Sequence, residues 1–380
     1  MERKGKVVYL LGAGAMLDFK APSTSALTTK CEEIIMGKEP YGKEIIKNLN
    51  NTFPTPNEGS DKTSNSGYNF ETIIAYVEYL LDWCCSKDVI GGNVSSRSII
   101  SSVFKTNIER ITGESMYELY RELINAIIDE IQKYDNPSLA EVESIRSSWK
   151  NHLINVSKQY EKVKIYSLNY DRLTPEIMDT KPYEGTSNTS GTYSRFDYNI
   201  KKFRESEFTY FNLHGSIYLK QEPNLLYEVV LQSGTILETS LYAAKSSGGN
   251  PNESKIFSPI ITGYSKSQRV LSEPFNLGFT SFCSDCDDCD KLVVIGYSFS
   301  DPHINSILKK FVFDKEKPID IVDFSDSYES VERNLTKSLI YILNFKSKGN
   351  DIQKGESDNH KINISAKGFS DYLEEVNKQN

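Results

Sequence analysis

Short runs of apolar and β-branched residues recur along the chain, and most of them end at glycine or small polar residues. The first run, residues 6–11 (KVVYLL), predicts a buried strand that leads straight into Gly12-Ala13-Gly14. Later runs predict further strands at residues 163–167, 208–213, 226–231, 292–295, 319–322 and 362–364. Segments with helical spacing alternate with these runs. This indicates an open, mostly parallel α/β sheet, although the runs at 208–231 could instead pair as hairpins.

Residues 70–156 follow a different pattern, in which apolar positions recur every three or four residues. This spacing predicts helices near residues 70–81, 119–131 and 142–153. The preceding stretch, residues 50–67, is rich in Asn, Ser, Gly and Pro and predicts a surface loop. We therefore expect residues 1–49 and 160–380 to form one sheet domain, with residues 68–158 inserted as a helical module.

Composition narrows the class of protein. The 380 residues are 38% hydrophobic, enough to bury a core, and the formal charge of -8 disfavours a protein whose main task is to coat nucleic acid. The longest apolar stretch, residues 7–17, contains two glycines and is far shorter than the about 20 residues of a membrane-spanning helix. A secretory signal is the alternative for this stretch. Its glycines and the clustered cysteines favour a cytoplasmic protein without a membrane anchor.

Four clusters of small or polar residues follow directly after predicted strands. They are Gly12-Ala13-Gly14, Asn169-Tyr170-Asp171, His214-Gly215-Ser216, and Gly296-Tyr297-Ser298 with Asp301. In open α/β sheets, ligands bind outside the carboxyl ends of the strands. We therefore expect the four clusters to converge on one crevice.

The first cluster is a Gly-x-Gly turn between a strand and a predicted helix, which lets backbone N–H groups approach a phosphate. Two features of the dinucleotide fingerprint are missing. Leu17 stands in place of the third glycine, and the nearest acids, Glu32 and Glu33, lie in a helical pattern. A hydride-transferring dehydrogenase is therefore disfavoured. A turn that only packs a helix on the sheet remains the alternative.

Each polar residue of the later clusters also has a structural interpretation. His214 could be a buried structural histidine, and Asn169 could bond to its own backbone at a strand end. Asp171 could be an ordinary turn acid. Asp301 precedes proline, a pair that predicts a helix start with the aspartate as its cap and leaves His303 at the surface.

Two groups of candidate metal ligands occur close together in the sequence. Cys283, Cys286 and Cys289 match the first three ligands of an iron–sulfur pattern, but Val293 stands where the fourth is expected. We expect these thiols on a helix that precedes a strand. The second group contains Asp285, Asp287, Asp288 and Asp290. A solvated helix end explains these carboxylates more simply than the metal site of a nuclease, so no metal is predicted.

Five segments together resemble the sirtuin-like domain of bacterial antiphage defence proteins: LLGAGAMLDFKAPSTSALT, NFETI, YSLNYD, FNLHGS and VIGYSFSDPHIN, in this order. The resemblance implies a Rossmann-like NAD-binding fold with a helical insertion that cleaves NAD to nicotinamide and ADP-ribose. The chain further resembles the stand-alone subunits that assemble with a HerA-like ring ATPase. This implies a homo-oligomer that reaches nucleic acid only through that partner.

The resemblance also implies roles for individual residues. Asn169 and His214 would be the catalytic pair, and Asp171 would support Asn169 or the ribose. The residues implied to bind NAD are Gly12, Ala13, Gly14, Asp171, Gly296 and Ser298. The glycine turn would lie against the phosphates, and Ser298 would face the adenosine side. Met16 departs from the family, which often has serine at this position.

Two other functions remain open. A non-catalytic subunit could bind NAD or ADP-ribose with the same sheet and gate a partner enzyme. Protein deacylation is disfavoured, because the sirtuins that deacylate proteins carry two separated CxxC zinc pairs that this sequence does not contain.

Overall fold

The computed structural model describes residues 4–54, 67–86, 111–135, 140–190, 193–197, 199–221, 227–230, 243–244, 255–256, 259–263, 266–339, 345–348, 351–359 and 361–379. Its strands are β1 Lys4–Leu11, β2 Tyr160–Ser167, β3 Thr186–Ser190, β4 Tyr193–Phe196, β5 Phe208–Asn212, β6 Leu219–Gln221, β7 Tyr227–Val230, β8 Ala243–Ala244, β9 Lys255–Ile256, β10 Lys291–Ile295, β11 Ile319–Val322, β12 Phe345–Lys348, β13 Asp351–Ser357 and β14 Ile362–Ser365.

Its α-helices are α1 Thr24–Met36, α2 Gly42–Thr52, α3 Phe70–Ser86, α4 Gly113–Tyr134, α5 Glu143–Gln159, α6 Leu173–Ile177, α7 Ile200–Glu205, α8 Lys266–Arg269, α9 Phe275–Asp288, α10 Pro302–Leu308, α11 Tyr328–Leu339 and α12 Phe369–Gln379. Two 3-10 helices span Ala13–Phe19 and Ala140–Val142, and a π-helical turn spans Lys309–Phe313. None of the helices described has the length and apolar character needed to cross a membrane.

The described residues form an α/β fold around an eight-stranded sheet, with strand order β12-β13-β14-β11-β10-β1-β2-β5. The strands from β14 to β5 pair in parallel, and β12 and β13 pair antiparallel at one edge. This confirms the predicted mostly parallel, Rossmann-like sheet. Because β1 lies between β2 and β10, with Leu11 opposite both Ser167 and Ile295, the loops after these strands leave the sheet side by side.

The two predicted runs within residues 208–231 do not pair with each other. The first run, β5, joins the parallel sheet beside β2, with Phe208 opposite Val163. The second run, β7, pairs antiparallel with β4 and β6 in a separate four-stranded sheet. Only the first run therefore ends at the same edge as β1, β2 and β10.

Both faces of the main sheet are covered, as is usual for parallel strands. Alternate residues of β1 point to opposite faces, so that Val7, Tyr9 and Leu11 belong to one apolar cluster and Val8 and Leu10 to a second. The first cluster also includes residues of α3, α4 and α5, three of the helices that lie between β1 and β2 in the sequence. These helices therefore share a core with the sheet.

Local signals account for several helix starts, but some elements have no clear local signal. Ser23 caps α1 by accepting a hydrogen bond from the backbone N–H of Ala26 at 3.2 Å. The apolar pattern of the sequence does not predict α2 or the antiparallel strands β12 and β13. The predicted loop at 50–67 overlaps the end of α2, and its residues 55–66 lie outside the described part of the chain.

The prediction of a solvated helix end is wrong for Asp285, whose side chain is 0% exposed. Lys6 Nζ lies 2.6 Å from Asp285 Oδ1 and 2.5 Å from Asp288 Oδ1. The Tyr166 hydroxyl donates to Asp285 Oδ2 at 2.5 Å. A buried carboxylate needs such partners, because removal from water otherwise costs several kcal/mol. These acids therefore anchor α9 to β1.

The three clustered thiols lie where the sequence predicts them. Cys283 and Cys286 are on α9, and Cys289 caps the end of this helix just before β10. Burial raises the pKa of the Cys286 thiol well above its ordinary value. This thiol is therefore protonated and packs as a core residue at neutral pH.

Candidate functional site

A cavity of about 390 Å³ lies at the carboxyl ends of β1, β2, β5 and β10. It brings together most of the predicted site residues, namely Gly12, Ala13, Gly14, Asn169, His214, Gly296 and Ser298. Residues of α1, α3 and α4 form another wall, so helices that lie between β1 and β2 in the sequence close one side of the cavity. The expected convergence of the clusters at one edge of the sheet is thus observed.

The glycine turn after β1 packs tightly against the loop after β10. Gly12 N donates to Ile295 O at 2.8 Å, and Gly14 N donates to Gly296 O at 2.9 Å. A Cβ on Gly12 would lie 2.4 Å from Gly296 O, and a Cβ on Gly296, where φ is +62°, would lie 2.0 Å from Ala15 N. These glycines are therefore required for the close approach of two loops, whatever ligand the turn binds.

One backbone donor of this turn remains available to a ligand. Gly12 and Gly14 use their N–H groups within the turn, whereas Ala13 N–H has no acceptor among the described residues. Ala13 is also the first residue of the 3-10 helix that follows β1. The turn thus offers less to a phosphate than three adjacent N–H groups would.

Asn169 follows β2 and reaches across to the turn after β1. Its side-chain Nδ2 donates to Gly12 O at 3.0 Å, and its backbone N donates to Ser167 Oγ at 3.1 Å. The side chain therefore does not bond to its own backbone. Because Nδ2 points to Gly12, the carboxamide oxygen is left on the opposite side, where it can accept a hydrogen bond from a water or a hydroxyl.

Polar residues of the segment FNLHGS fasten the loop that carries Asn169. Asn212 Nδ2 donates to the backbone oxygens of Asn169 and Asp171, at 2.8 and 2.9 Å. Ser216 Oγ donates to Tyr170 O at 2.8 Å. The two segments after β2 and β5 therefore form one interlocked unit. Both segments stand out in the sequence, but the anchoring roles of Asn212 and Ser216 become visible only in the structure.

His214 is buried, with 2% of its surface exposed, and its Nε2 lies 3.0 Å from His303 Nε2. Burial lowers the pKa of His214 well below its ordinary value, and the positive charge of Lys266 and the nearby His303 lower it further. The imidazole is therefore neutral at neutral pH. The expectation that His303 lies at the surface is wrong, because α10 begins at the cavity wall and turns this ring inward.

Asp171 lies behind the cavity wall. It is buried, and it accepts hydrogen bonds from Tyr134 Oη at 2.9 Å and from Leu173 N at 3.0 Å. Tyr134 itself lines the cavity. Burial raises the pKa of Asp171, although both hydrogen bonds oppose this effect. The carboxylate therefore supports the loop of Asn169 and a residue of the insertion at the same time.

Three of the charged residues that line the cavity were not predicted as a group. Lys266 Nζ lies 2.6 Å from Asp301 Oδ1 and 3.0 Å from Glu71 Oε1. Asp301 precedes α10 as expected, but its side chain makes no capping hydrogen bond, because the carboxylate pairs with Lys266 instead. No sequence pattern distinguishes Lys266 as a site residue. The Asp-Pro pair at 301–302 predicts only an ordinary helix start.

One group at the cavity wall has the residue types of a cation site. A ring nitrogen of His214, one of His303 and a carboxylate oxygen of Asp301 lie within 4.8 Å of one another. The ammonium of Lys266 already pairs with Asp301 at 2.6 Å. This fixed positive charge opposes a second cation at the same carboxylate.

No family model and no curated protein matches the sequence. Several solved structures have a similar fold of the main chain. One of them is Sir2Tm bound to a propionylated peptide, which is 10% identical in sequence. The alignment covers 98% of this chain and 92% of that chain, with a TM-score of 0.42. A Sir2 homologue mutant in complex with 2′-O-acetyl ADP ribose has 12% identity, coverage of 89% and 95%, and a TM-score of 0.38. A Sir2 homologue mutant in complex with ADP ribose has 11% identity, the same coverage and a TM-score of 0.38.

Proposed function

We propose that the protein is an NAD hydrolase that cleaves the bond between nicotinamide and ribose. The observation that carries the proposal is that the carboxamide of Asn169 and the neutral imidazole of His214 line one cavity beside the glycine turn. A cavity of about 390 Å³ is within the usual size of sites for cofactors and small ligands. NAD is the substrate, and the chemistry needs no metal.

The residue types suit this reaction. The nicotinamide of NAD is a cationic leaving group, so cleavage needs no strong acid, and the site has to stabilise positive charge at the ribose and place a water. The Asn169 oxygen orients that water, and neutral His214 accepts its proton as the water oxygen bonds to C1′ of the ribose. Nicotinamide leaves as a neutral molecule with the electrons of the broken bond. The products are nicotinamide and ADP-ribose.

The remaining NAD groups are assigned by position along the crevice. The turn at 12–14 faces the phosphates through the N–H of Ala13, beside Gly296. Ser298, exposed at the mouth of the cavity, faces the adenosine. Asp171 acts from behind the wall, where it holds the loop of Asn169 in place. In this proposal the scissile bond lies beside His214.

The biological role follows from the sequence resemblance described above. In this role the protein depletes NAD in the cytoplasm as an effector of antiphage defence. It acts as a homo-oligomer in complex with a HerA-like ATPase, and it meets nucleic acid only through that partner. We expect the helical segment at residues 70–156 to provide the assembly surface; its residues 87–110 and 136–139 lie outside the described part of the chain.

A second function is favoured by one observation. His214 is almost fully buried, its Nε2 contacts His303, and its lowered pKa makes it a weak base. Such a site suits a subunit that binds NAD or ADP-ribose and gates a partner enzyme without cleaving the ligand.

Product analysis separates the two functions. The purified protein is incubated with NAD, with and without a co-purifying ATPase, and the products are resolved by chromatography. Hydrolysis predicts nicotinamide and ADP-ribose in equal amounts, and a heat-denatured sample serves as the control. Saturable NAD binding without nicotinamide release, under both conditions, would replace hydrolysis with the gating function. Turnover that depends on an acyl-lysine peptide would instead indicate deacylation.

A further inference from the structure

The ammonium of Lys266 is held between two carboxylates at the wall of the cavity. Its Nζ lies 2.6 Å from Asp301 Oδ1 and 3.0 Å from Glu71 Oε1. The side chains of Lys266 and Asp301 are only 12% and 13% exposed. Charges removed from water to this extent need close partners to remain ionised. The ammonium is therefore fixed in place by its partners.

This group of charges joins elements that are far apart in the sequence. Glu71 lies in the first turn of α3, at the start of the helical insertion. Asp301 precedes α10, and His303 follows in the first turn of that helix. His303 in turn contacts His214. Lys266 therefore links the insertion to the candidate base through a short series of contacts.

We infer that Lys266 is a positioning residue for the proposed hydrolysis: its ammonium anchors α3 to the start of α10 and fixes a positive charge beside the two histidines. The inference rests on the proposed function, because the task it assigns belongs to that reaction. Two carboxylates already pair with the ammonium, and the three side chains together carry a net negative charge, which disfavours a bound phosphate. Its loss therefore affects kcat more than KM.

The charges around His214 determine how the loss of Lys266 changes the pKa of this histidine. The charged groups and the second imidazole that face this ring or line the cavity with it are Glu71, Lys266, Asp301, His303 and Asp323, and the phenols that line the cavity are Tyr134, Tyr170 and Tyr297. Burial lowers the pKa of His214 most strongly, and the positive charge of Lys266 adds to that effect. Without the ammonium, the two carboxylates act unopposed and stabilise the protonated ring. Because a base must be neutral to accept a proton, the acid limb of the pH–rate profile then moves to higher pH.

The first test compares Lys266→Met with Lys266→Arg in the full chain. NAD cleavage is measured from roughly pH 4 to pH 9, a range that extends below ordinary histidine titration because the pKa of His214 is lowered. Lys266→Met is expected to lower kcat roughly 10- to 100-fold while KM stays within about threefold, and to shift the acid limb upward. Lys266→Arg keeps the charge and restores most of kcat. Lys150→Met, which removes an ion pair with Asp179 away from the cavity, is the matched control and leaves both constants unchanged.

A second variant is expected to shift the acid limb of the pH–rate profile in the opposite direction. Glu71→Gln removes one carboxylate but leaves the ion pair of Lys266 with Asp301. The net charge beside His214 becomes more positive, so the acid limb is expected to move to lower pH. This variant keeps the inference testable if Lys266→Met does not fold.

A readout that does not depend on activity separates the inference from the proposed function. The chain has only four histidines, so NMR can follow the titration of each ring. Lys266→Met is expected to raise the pKa of His214 and His303 and to leave that of His152 unchanged. If the parental protein releases no nicotinamide, the proposed hydrolysis fails. If cleavage occurs but Lys266→Met changes neither kcat nor these titrations, or raises only KM, the role inferred for Lys266 is wrong.

Discussion

Asn169 donates a hydrogen bond from its side-chain Nδ2 to the backbone oxygen of Gly12, at 3.0 Å. This bond joins the loops after β2 and β1, which carry the proposed catalytic amide and the proposed phosphate turn. It also fixes which end of the carboxamide faces the cavity, because a rotated amide would bring two oxygens together. The two loops therefore hold each other in place.

Replacement of Asn169 tests this relationship. Asn169→Ala removes the oxygen that orients the water, whereas Asn169→Asp keeps an oxygen there but replaces the donor to Gly12 O with an acceptor. Both variants are expected to lower kcat roughly 100-fold or more, the cost of misplacing a reacting group. Nicotinamide release measures the loss, and the melting temperature of each variant shows whether the fold is intact. Folded Asn169→Ala protein with parental kcat would contradict the assignment.

Replacement of His214 is predicted to lower kcat more than replacement of His303. His214→Ala removes the proposed base and is expected to lower kcat by roughly 10² to 10⁴. His303→Ala removes only the ring that contacts His214, at 3.0 Å, and is expected to have a smaller effect. Rates of NAD cleavage for both variants, measured side by side, test this order. A larger loss in His303→Ala would identify His303 as the base.

Gly296 is predicted to tolerate no side chain. Gly296→Ala combines a positive φ with a Cβ only 2.0 Å from Ala15 N. The expected loss in unfolding free energy is roughly 2 to 6 kcal/mol, the sum of backbone strain and an overpacked contact. Urea unfolding measures it. Gly37→Ala, whose Cβ would lie no closer than 3.4 Å to its neighbours, is the control. Equal stabilities of the two variants would show that the loops separate easily.

The buried ion pair of Lys6 with Asp285 gives a stability prediction away from the cavity. Lys6→Met leaves Asp285 buried without its cation, which is expected to cost about 3 to 5 kcal/mol in unfolding free energy. The double variant Lys6→Met with Asp285→Asn keeps an acceptor for Tyr166 and is expected to recover much of that loss. Lys315→Met, which breaks an exposed pair with Asp287, serves as the control and should cause no measurable change. No recovery in the double variant would mean that Lys6 stabilises the fold by packing rather than by charge.

The buried ring of His152 predicts a loss of stability in acid. Burial lowers its pKa from 6.5 to about 4, with a smaller contribution from Lys291. A lowered pKa means that its contribution is complete above pH 6.5 and is lost as the pH falls toward 4, by about 3 kcal/mol at most. Unfolding free energies at pH 7 and pH 4.5 are compared for the parental chain and His152→Gln. If the unfolding free energy falls by the same amount in both proteins between pH 7 and pH 4.5, His152 is not the source of the acid instability.

The sheet and its loops could be predicted because their signals are local. Each of four apolar runs predicts a strand and its end within a few residues. These runs lie before Gly12, Asn169, His214 and Gly296. The order of strands then brings these ends together, since parallel strands share one carboxyl edge.

The charged partners could not be predicted because they meet only in the folded chain. Lys266 pairs with a carboxylate 195 residues earlier, and Lys6 pairs with one 279 residues later. Within their own segments, Asp301 resembles a helix cap and Asp285 resembles part of a solvated helix end. The local sequence shows which residues are polar. It does not show which of them are buried or which opposite charge they pair with, because both depend on the tertiary structure.

The central position of β1 has a consequence for synthesis of the protein. β1 pairs on one side with β2 and on the other with β10, where Val7 lies opposite Lys291. At ribosomal rates of roughly 5 to 20 residues per second, the second partner emerges about 15 to 60 seconds after the first strand. During that interval one edge of an apolar strand is open to pairing with other nascent chains. We expect yield in the cell to depend on chaperone supply more than the stability of the finished fold would suggest.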